Sequence, residues 1–414
     1  MQTRLAAAIA ATASGREAEA ILRTCVHCGF CLPTCPTYQI LGDELDSPRG
    51  RIYLIKQMLE GAAVTQKTLT HLDRCLTCRN CETTCPSGVQ YGRLIDIGRA
   101  MAEEKVSRSP LERIKRAALN GVLTNGTRFD AMLALGRIAK PLLPQTLARK
   151  IPDQPEAGSH FAGRNTLRRK MLALQGCVQP SLAPQINAAA ARVLETLGIA
   201  LISADQAGCC GAVSFHLNYQ DQGRAYMRRN IDAWWPYVEA EAEAIVMTAS
   251  GCGLTVKEYA HHLKDDPSHA AKAARISALT RDICEVVLSE QIRLLDCLRQ
   301  RPSPHPVRVA WHSPCTLQHG QKITGIVEAL LTAAGYDVLV PVESNLCCGS
   351  AGTYSLLEPD IAGQLRDRKL VHLQGLRPDV IATANIGCLA HLQSGTDLPV
   401  HHWIELLDAA LVSG

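Results

Sequence analysis

The chain has 414 residues, 47% of them hydrophobic and 20% charged, with a formal net charge of +4. That length suggests two to four domains with ample apolar material for packed cores. So mild a charge, with no aromatic-studded basic stripe, argues against nucleic acid as a partner, and no apolar run reaches the ~18–20 residues needed to cross a bilayer. The first fourteen residues carry Arg4 and an alanine-rich stretch. This reads as an amphipathic helix leading into the next domain better than as a secretory signal. The 18 cysteines then point to a reducing, cytoplasmic setting.

Residues 20–100 hold two copies of Cys-x2-Cys-x2-Cys-x3-Cys-Pro. The first is Cys25, Cys28, Cys31, Cys35 and Pro36, and the second is Cys75, Cys78, Cys81, Cys85 and Pro86, each cysteine 50 residues after its counterpart. Three cysteines two residues apart let one short loop reach three irons of a cubane from one side. The run is that of a bacterial-type two-cluster ferredoxin, in which the fourth cysteine serves the other cluster. Cys25, Cys28, Cys31 and Cys85 are thus expected to hold one 4Fe–4S cluster, and Cys75, Cys78, Cys81 and Cys35 the other. Cys-x2-Cys pairs also bind zinc, but two zinc sites would not require the fourth cysteine and proline twice. Between the runs, apolar residues recur at helical spacing over 51–59, and Ser47-Pro48 reads as a helix start. This predicts the α-helical type of two-cluster ferredoxin, with clusters held between helices. Arg23, Arg74 and Arg79 flank the cluster loops and are candidates to raise cluster potentials. His27 is read as a local modulator.

Residues 101–168 carry no chemical motif and read as helices with solvated basic faces, followed by a linker with Pro141, Pro144, Pro152 and Pro155. The rest is a larger repeat. Cys177, Cys209 and Cys210 recur 138 residues later as Cys315, Cys347 and Cys348, and Cys252 recurs 136 later as Cys388. Strand-like runs at 171–174, 245–249, 307–311 and 380–384 alternate with helix-like stretches at 188–197 and 326–334. This predicts two α/β domains with largely parallel sheets, the cysteines at the C-terminal strand ends. The domains expected are 1–100 (clusters), 101–168 (connector), 169–300 and 301–414 (the two repeats).

Thiolates gathered at strand ends repel one another unless a metal or protonation neutralises them. Cys177, Cys209, Cys210, Cys252, Cys315, Cys347, Cys348 and Cys388 are therefore candidates for a further metal or redox centre. An iron–sulfur centre in at least one half, zinc or a thiol/disulfide pair, and packed unmetallated cysteines all remain open. Cys284 and Cys297, outside the repeats, read as small buried hydrophobes. His312 and His391 are not shared between the repeats (Leu174 and Thr255 stand in their places) and are read as supporting or loop residues. No G-x-G-x-x-G follows a strand, and no paired carboxylates or nucleophile constellation stands out.

Together the twin cysteine runs and the two Cys-Cys-Gly repeats resemble the iron–sulfur subunit of bacterial glycolate oxidase, over nearly the whole chain. The resemblance rests on Cys25-Val26-His27-Cys28-Gly29-Phe30-Cys31, on residues 42–54, on Cys75-Leu76-Thr77-Cys78-Arg79-Asn80-Cys81-Glu82, on Asn230-Ile231-Asp232-Ala233-Trp234-Trp235-Pro236 and on residues 347–354. It implies a three-subunit flavoenzyme in which FAD-containing partner subunits oxidise glycolate, and D-lactate also. This chain would carry electrons from reduced flavin towards membrane quinone or another acceptor, on the cytoplasmic face of the inner membrane and without catalytic residues of its own. Related architecture occurs in heterodisulfide reductases, whose repeats end in Cys-x2-Cys. Here Thr255 and His391 stand at that last position, which counts against the alternative of a thiol/disulfide reductase acting at the Cys-Cys-Gly sites.

Overall fold

The computed structural model describes residues 1–142, 151, 167–299 and 307–412. Of the linker prolines, Pro141 lies in a 3-10 turn, Lys140–Leu142. Pro144, Pro152 and Pro155 lie outside the described residues. The chain divides into two compact units, Met1–Ala117 with Asn345–Lys369, and Ala118–Ser344 with Leu370–Gly414.

Residues 1–117 contain helices and no strand. The helix expected after Ser47-Pro48 runs Pro48–Leu59, with the Ser47 hydroxyl accepting from Gly50 N and Pro48 in the first turn. Gly50 is required because a Cβ there would lie 2.1 Å from Glu44 O in the preceding turn. Ile52, Ile55, Met58 and Leu59 face a core shared with Leu22 of helix Ala13–Thr24, Leu69 and Leu72 of Gln66–Asp73, and Leu94 and Ile95 of Tyr91–Lys105. Burying each such side chain contributes about 1.5–3 kcal/mol. The N-terminal helix comes in two pieces, Ala7–Ala10 and Ala13–Thr24. Thr12 caps the second through Gly15 N. The segment Asn345–Lys369, with the second Cys-Cys-Gly, joins these helices, and Tyr354 Oη donates to Arg74 O at 3.1 Å.

The second unit contains two parallel four-stranded sheets of the same order, β2-β1-β3-β4 and β6-β5-β7-β8. The strands are β1 Arg169–Ala173, β2 Ile199–Ser203, β3 Ile245–Met247, β4 Thr280–Asp282, β5 Arg308–His312, β6 Asp337–Leu339, β7 Val380–Thr383 and β8 Val400–His402. β1, β3, β5 and β7 are the four expected from sequence, and the expected helices appear as Gln185–Thr196 and Ile326–Ala333. β4 and β8 read Thr-Arg-Asp and Val-His-His, too short and polar to announce a strand. They form because β3 and β7 offer backbone partners to them. Both sheets share one core, in which Trp311 and Trp403 pack with Ile186, Val193 and Val246. The chain is therefore multidomain, an α-helical cluster domain followed by two repeated α/β units.

Asp282 caps helix Ile283–Ser289 by accepting from Cys284 N at 3.1 Å. Burial pushes its carboxyl from the ordinary 3.8 up to about 6, against the lowering effect of that hydrogen bond. The folded state keeps the proton to higher pH than the unfolded chain does. Stability is therefore lost as pH rises from about 4 to about 6, by on the order of 3 kcal/mol. Buried His402, which burial pushes down to about 4, gives the opposite trend. All four tryptophans lie in this unit and report its unfolding by fluorescence. Asp282→Asn keeps the cap and removes the carboxyl. The wild-type stability relative to D282N, read by urea unfolding, should fall between pH 4 and 6 and then level off, with the His402 trend cancelling. A constant difference would show that Asp282 ionises normally.

Candidate metal centres

The two cluster loops share one backbone shape. His27 and Thr77, just before the second cysteine of each run, have φ of 60° and 51°, and Gly29 and Arg79, just after it, have 86° and 60°. A left-handed non-glycine residue costs roughly 1–3 kcal/mol, so three such residues in two short loops mark a geometry imposed by what the loops surround. Asn80 Nδ2 donates to Thr34 O at 3.0 Å and ties one loop to the other.

Cys25, Cys28, Cys31 and Cys85 line an open cavity of ≈ 450 Å³, which Cys81 also borders. Cys35, Cys75, Cys78 and Cys81 line a second of ≈ 300 Å³. Burial pushes the Cys31 thiol up to about 11, and Cys25, Cys28 and Cys85 add to the rise. Burial likewise pushes Cys81 well above its ordinary value, with Cys78, Cys75 and Cys35 adding. The fourth cysteine of each run thus stands with the first three of the other. Four sulfurs that repel one another as thiolates, around a space walled partly by Val26, Phe30, Pro48 and Ile52, fit a 4Fe–4S core with its cationic irons.

The two sets differ in environment. In the first, Cys28 is exposed and Cys31 and Cys85 half-buried, whereas in the second Cys35, Cys75 and Cys81 are buried. Thr77 N lies 3.4 Å and Tyr91 Oη 3.6 Å from Cys75 Sγ. Arg99 donates to the carbonyls of Leu72, Asp73 and Cys75 and so holds that loop.

Of the flanking arginines, Arg23 pairs with Glu19 on an exposed helix face, Arg79 lines the second cavity, and Arg74 donates to Asp46 at 3.0 Å. His27 lines the first cavity. Arg51 is a further charged residue at the second set. It is 1% exposed, with Nη1 4.0 Å from Cys35 Sγ. A signal existed, because Arg51 lies on the same 3.6-period stripe as buried Ile55 and Met58.

In the first repeat, Cys177 follows β1, Cys209 and Cys210 follow β2, and Cys252 lies in helix Ser250–Lys257 after β3. These are C-terminal strand ends near the β1/β3 switch point of a 2-1-3-4 sheet, where such folds place their sites. The four thiols form one hydrogen-bonded set, Cys177 to Cys209 to Cys210 to Cys252. Bonds from Cys177 and Cys210 push Cys209 well below its ordinary value, with Gly211 N and nearby Arg229 helping, whereas the bonds to Cys209 together with burial push Cys177 and Cys210 well above theirs. Adjacent cysteines can share the site because Gly211 turns the chain at φ 96°, and a Cβ there would meet Gly223 O at 2.8 Å. Buried Asn230 and Tyr259 clamp the turn. Asn230 Nδ2 donates to Cys209 O at 2.9 Å and to Tyr259 Oη at 3.1 Å, and Tyr259 Oη donates to Cys210 O at 2.8 Å.

The second Cys-Cys-Gly turn copies the first. Gly349 has φ 90°, and its N–H lies 3.4 Å from Cys347 Sγ, the distance between Gly211 N and Cys209 Sγ. Cys347 and Cys348 belong to the cluster-bearing unit, whereas Cys315 and Cys388 belong to the other. Burial pushes the Tyr354 phenol up, as do Glu358 and then Cys75 and Cys347, against the lowering effect of Arg51. A ligating nitrogen of His312 lies within 4.8 Å of Cys388 Sγ, and His312 Nδ1 is 3.0 Å from Thr383 Oγ1. His391 sits on helix Ile386–Gln393, one turn past Cys388. Cys284 is buried and Cys297 packs against the core.

Residues 21–89 match the 4Fe-4S dicluster domain family, and residues 171–257 and 309–393 each match the cysteine-rich domain family. The chain is 52% identical to the glycolate oxidase iron-sulfur subunit of Escherichia coli over 99% of both chains. It is 28% identical to the probable glycolate oxidase iron-sulfur subunit of Bacillus subtilis, over 92% of this chain and 90% of that one. Lactate utilization protein A of an Exiguobacterium species is 25% identical over 56% of this chain and 94% of its own. Fold and matches together define an iron–sulfur protein of the oxidoreductase class. The chain belongs to the family of glycolate oxidase iron–sulfur subunits.

Tyr259→Phe deletes the hydroxyl that both clamps Cys210 and receives Asn230. Leaving those buried groups unpaired should cost about 1–3 kcal/mol, seen as a lower urea midpoint by tryptophan fluorescence. An unchanged midpoint would show that the clamp contributes nothing.

Proposed function

We propose that this chain is the electron-transfer subunit of a glycolate dehydrogenase complex that also accepts D-lactate, with Cys25, Cys28, Cys31 and Cys85 holding one 4Fe–4S cluster and Cys75, Cys78, Cys81 and Cys35 the other. The observation that carries this reading is the exchange of fourth cysteines, Cys85 beside Cys31 and Cys35 beside Cys81. The relatives' names supply the substrate and the presence of other subunits. Bound clusters accept electrons singly, which lets a two-electron donor such as reduced FAD on a partner subunit be drained in two steps.

The protein's own part is to hold the sulfurs and regulate access. Cys28 is exposed, with Val26 and Phe30 exposed beside it, so the first set offers an approach for a partner. The second set is lined by Arg51, Tyr91 and Thr37, and none of its four cysteines is exposed. The acceptor is read as membrane quinone or another carrier at the cytoplasmic face of the inner membrane. Among the described residues no helix is long and apolar enough to cross a membrane, so attachment there would be peripheral or through partners.

The four-thiol set of the first repeat supports a further iron–sulfur or zinc centre. Exchange with an outside disulfide fits it less well, since Cys177, Cys209 and Cys210 are buried and disulfide exchange needs an accessible thiolate.

Anaerobic iron and sulfide analysis with EPR on stepwise reduction tests the assignment. About eight irons and two interacting cubane signals are expected from the ferredoxin cysteines, with any excess iron or zinc lost on Cys209→Ser. Cys85→Ser should abolish the cluster that Cys25→Ser abolishes, and Cys35→Ser the one that Cys75→Ser abolishes. Pairing of Cys85 with Cys75 instead would overturn it.

A further inference from the structure

Among the described residues Arg51 is the most deeply buried positive charge near either cysteine set, and its position is over-determined. Its Nε donates to His71 O at 2.6 Å, and its terminal nitrogens donate to Thr37 Oγ1 at 3.1 and 3.2 Å. Nη2 meets Asp46 Oδ1 at 3.3 Å, and Nη1 reaches Cys35 Sγ at 4.0 Å. Thr37 Oγ1, itself 3.3 Å from Cys35 Sγ, donates to Asp46 O at 2.7 Å. Asp46, 0% exposed, also takes Arg74 at 3.0 Å and His71 at 3.1 Å. Arg51 and Arg74 thus both reach Asp46, and of the two it is Arg51 whose guanidinium extends to Cys35.

Among the described residues no buried charged side chain lines the first set. Arg49 feels Cys31, but it is part-exposed and paired with Glu44 at 2.7 Å, where water screens it. A 4Fe–4S core with four thiolates carries net negative charge, and reduction adds one more. In a buried site that added charge is penalised unless a fixed positive group lies near.

We infer that Arg51 sets the potential of the cluster held by Cys35, Cys75, Cys78 and Cys81, as the buried positive charge that makes its reduction favourable. The inference rests on the cluster assignment proposed above. Arg51 acts as a positioning and tuning residue and takes no part in the oxidation of the organic substrate. By sequence proximity the candidates are Arg23, Arg74 and Arg79. Of these Arg23 lies on the surface, Arg74 acts through Asp46, and Arg79, which also lines the second cavity, is only half-buried.

The test is an anaerobic, EPR-monitored redox titration of the full chain at one pH. In R51Q one of the two midpoint potentials should fall, with the reduced-to-oxidised ratio at fixed potential down at least about tenfold, or about 59 mV for one electron. The other potential should stay in place. R51K, which keeps the charge, should restore most of the loss. D46N removes the counter-charge and should move the same potential upwards. Two clusters in R51Q with both potentials unchanged would overturn the inference, as would R51Q and D46N shifting in the same direction, the mark of simple loosening. If R51Q fails to assemble, D46N decides: an upward shift supports the role, and no shift or a downward one removes it. A wild-type chain lacking two cubane signals overturns the cluster assignment itself, a failure visible before any variant is made.

Discussion

Four cysteine sulfurs around one small space repel one another as thiolates, and each gathering of them in this chain needs something to offset that repulsion. At the ferredoxin runs the thiols are pushed upward by burial and by one another, which is the condition an iron core relieves. In the first Cys-Cys-Gly repeat the same crowding is met by a hydrogen-bonded chain that pushes Cys209 down and Cys177 and Cys210 up from their ordinary values. The surrounding architecture serves these gatherings. Left-handed residues bend the loops, and a glycine after each cysteine pair lets the chain turn where a side chain would strike backbone.

The two ferredoxin sets are equivalent in sequence and unlike in surroundings. One opens to solvent at Cys28, beside exposed Val26 and Phe30. The other has no exposed cysteine and lies against Arg51, Tyr91 and the Arg99-held loop. An electron carrier benefits from that asymmetry, since exposure, hydrogen bonds to sulfur and local charge are the levers that separate cluster potentials. The α/β unit follows another logic. Short parallel strands bring three loops to one end of each sheet, and residues far apart in sequence, such as Cys177 and Cys252, become neighbours.

Much of this was legible in the residues alone. The cysteine spacing, the 50-residue and 138-residue repeats and the Ser47-Pro48 start all depend on local chemistry or short-range periodicity, which a chain displays wherever it folds. Strands β4 and β8 escaped notice because a three-residue polar strand exists only through its neighbour. Arg51 escaped notice because a charged residue on an apolar stripe ordinarily extends to solvent, and what holds it inside is a carboxylate and a carbonyl from other elements. By itself the sequence determined the number and spacing of the cysteines and so the ligand chemistry they can offer, since that depends on residue type and spacing. Tertiary structure alone decided that Arg51 lies beside Cys35 and that the four thiols of the first repeat form one set. Burial and long-range contact create those electrostatic relations, and neither exists until the chain has packed.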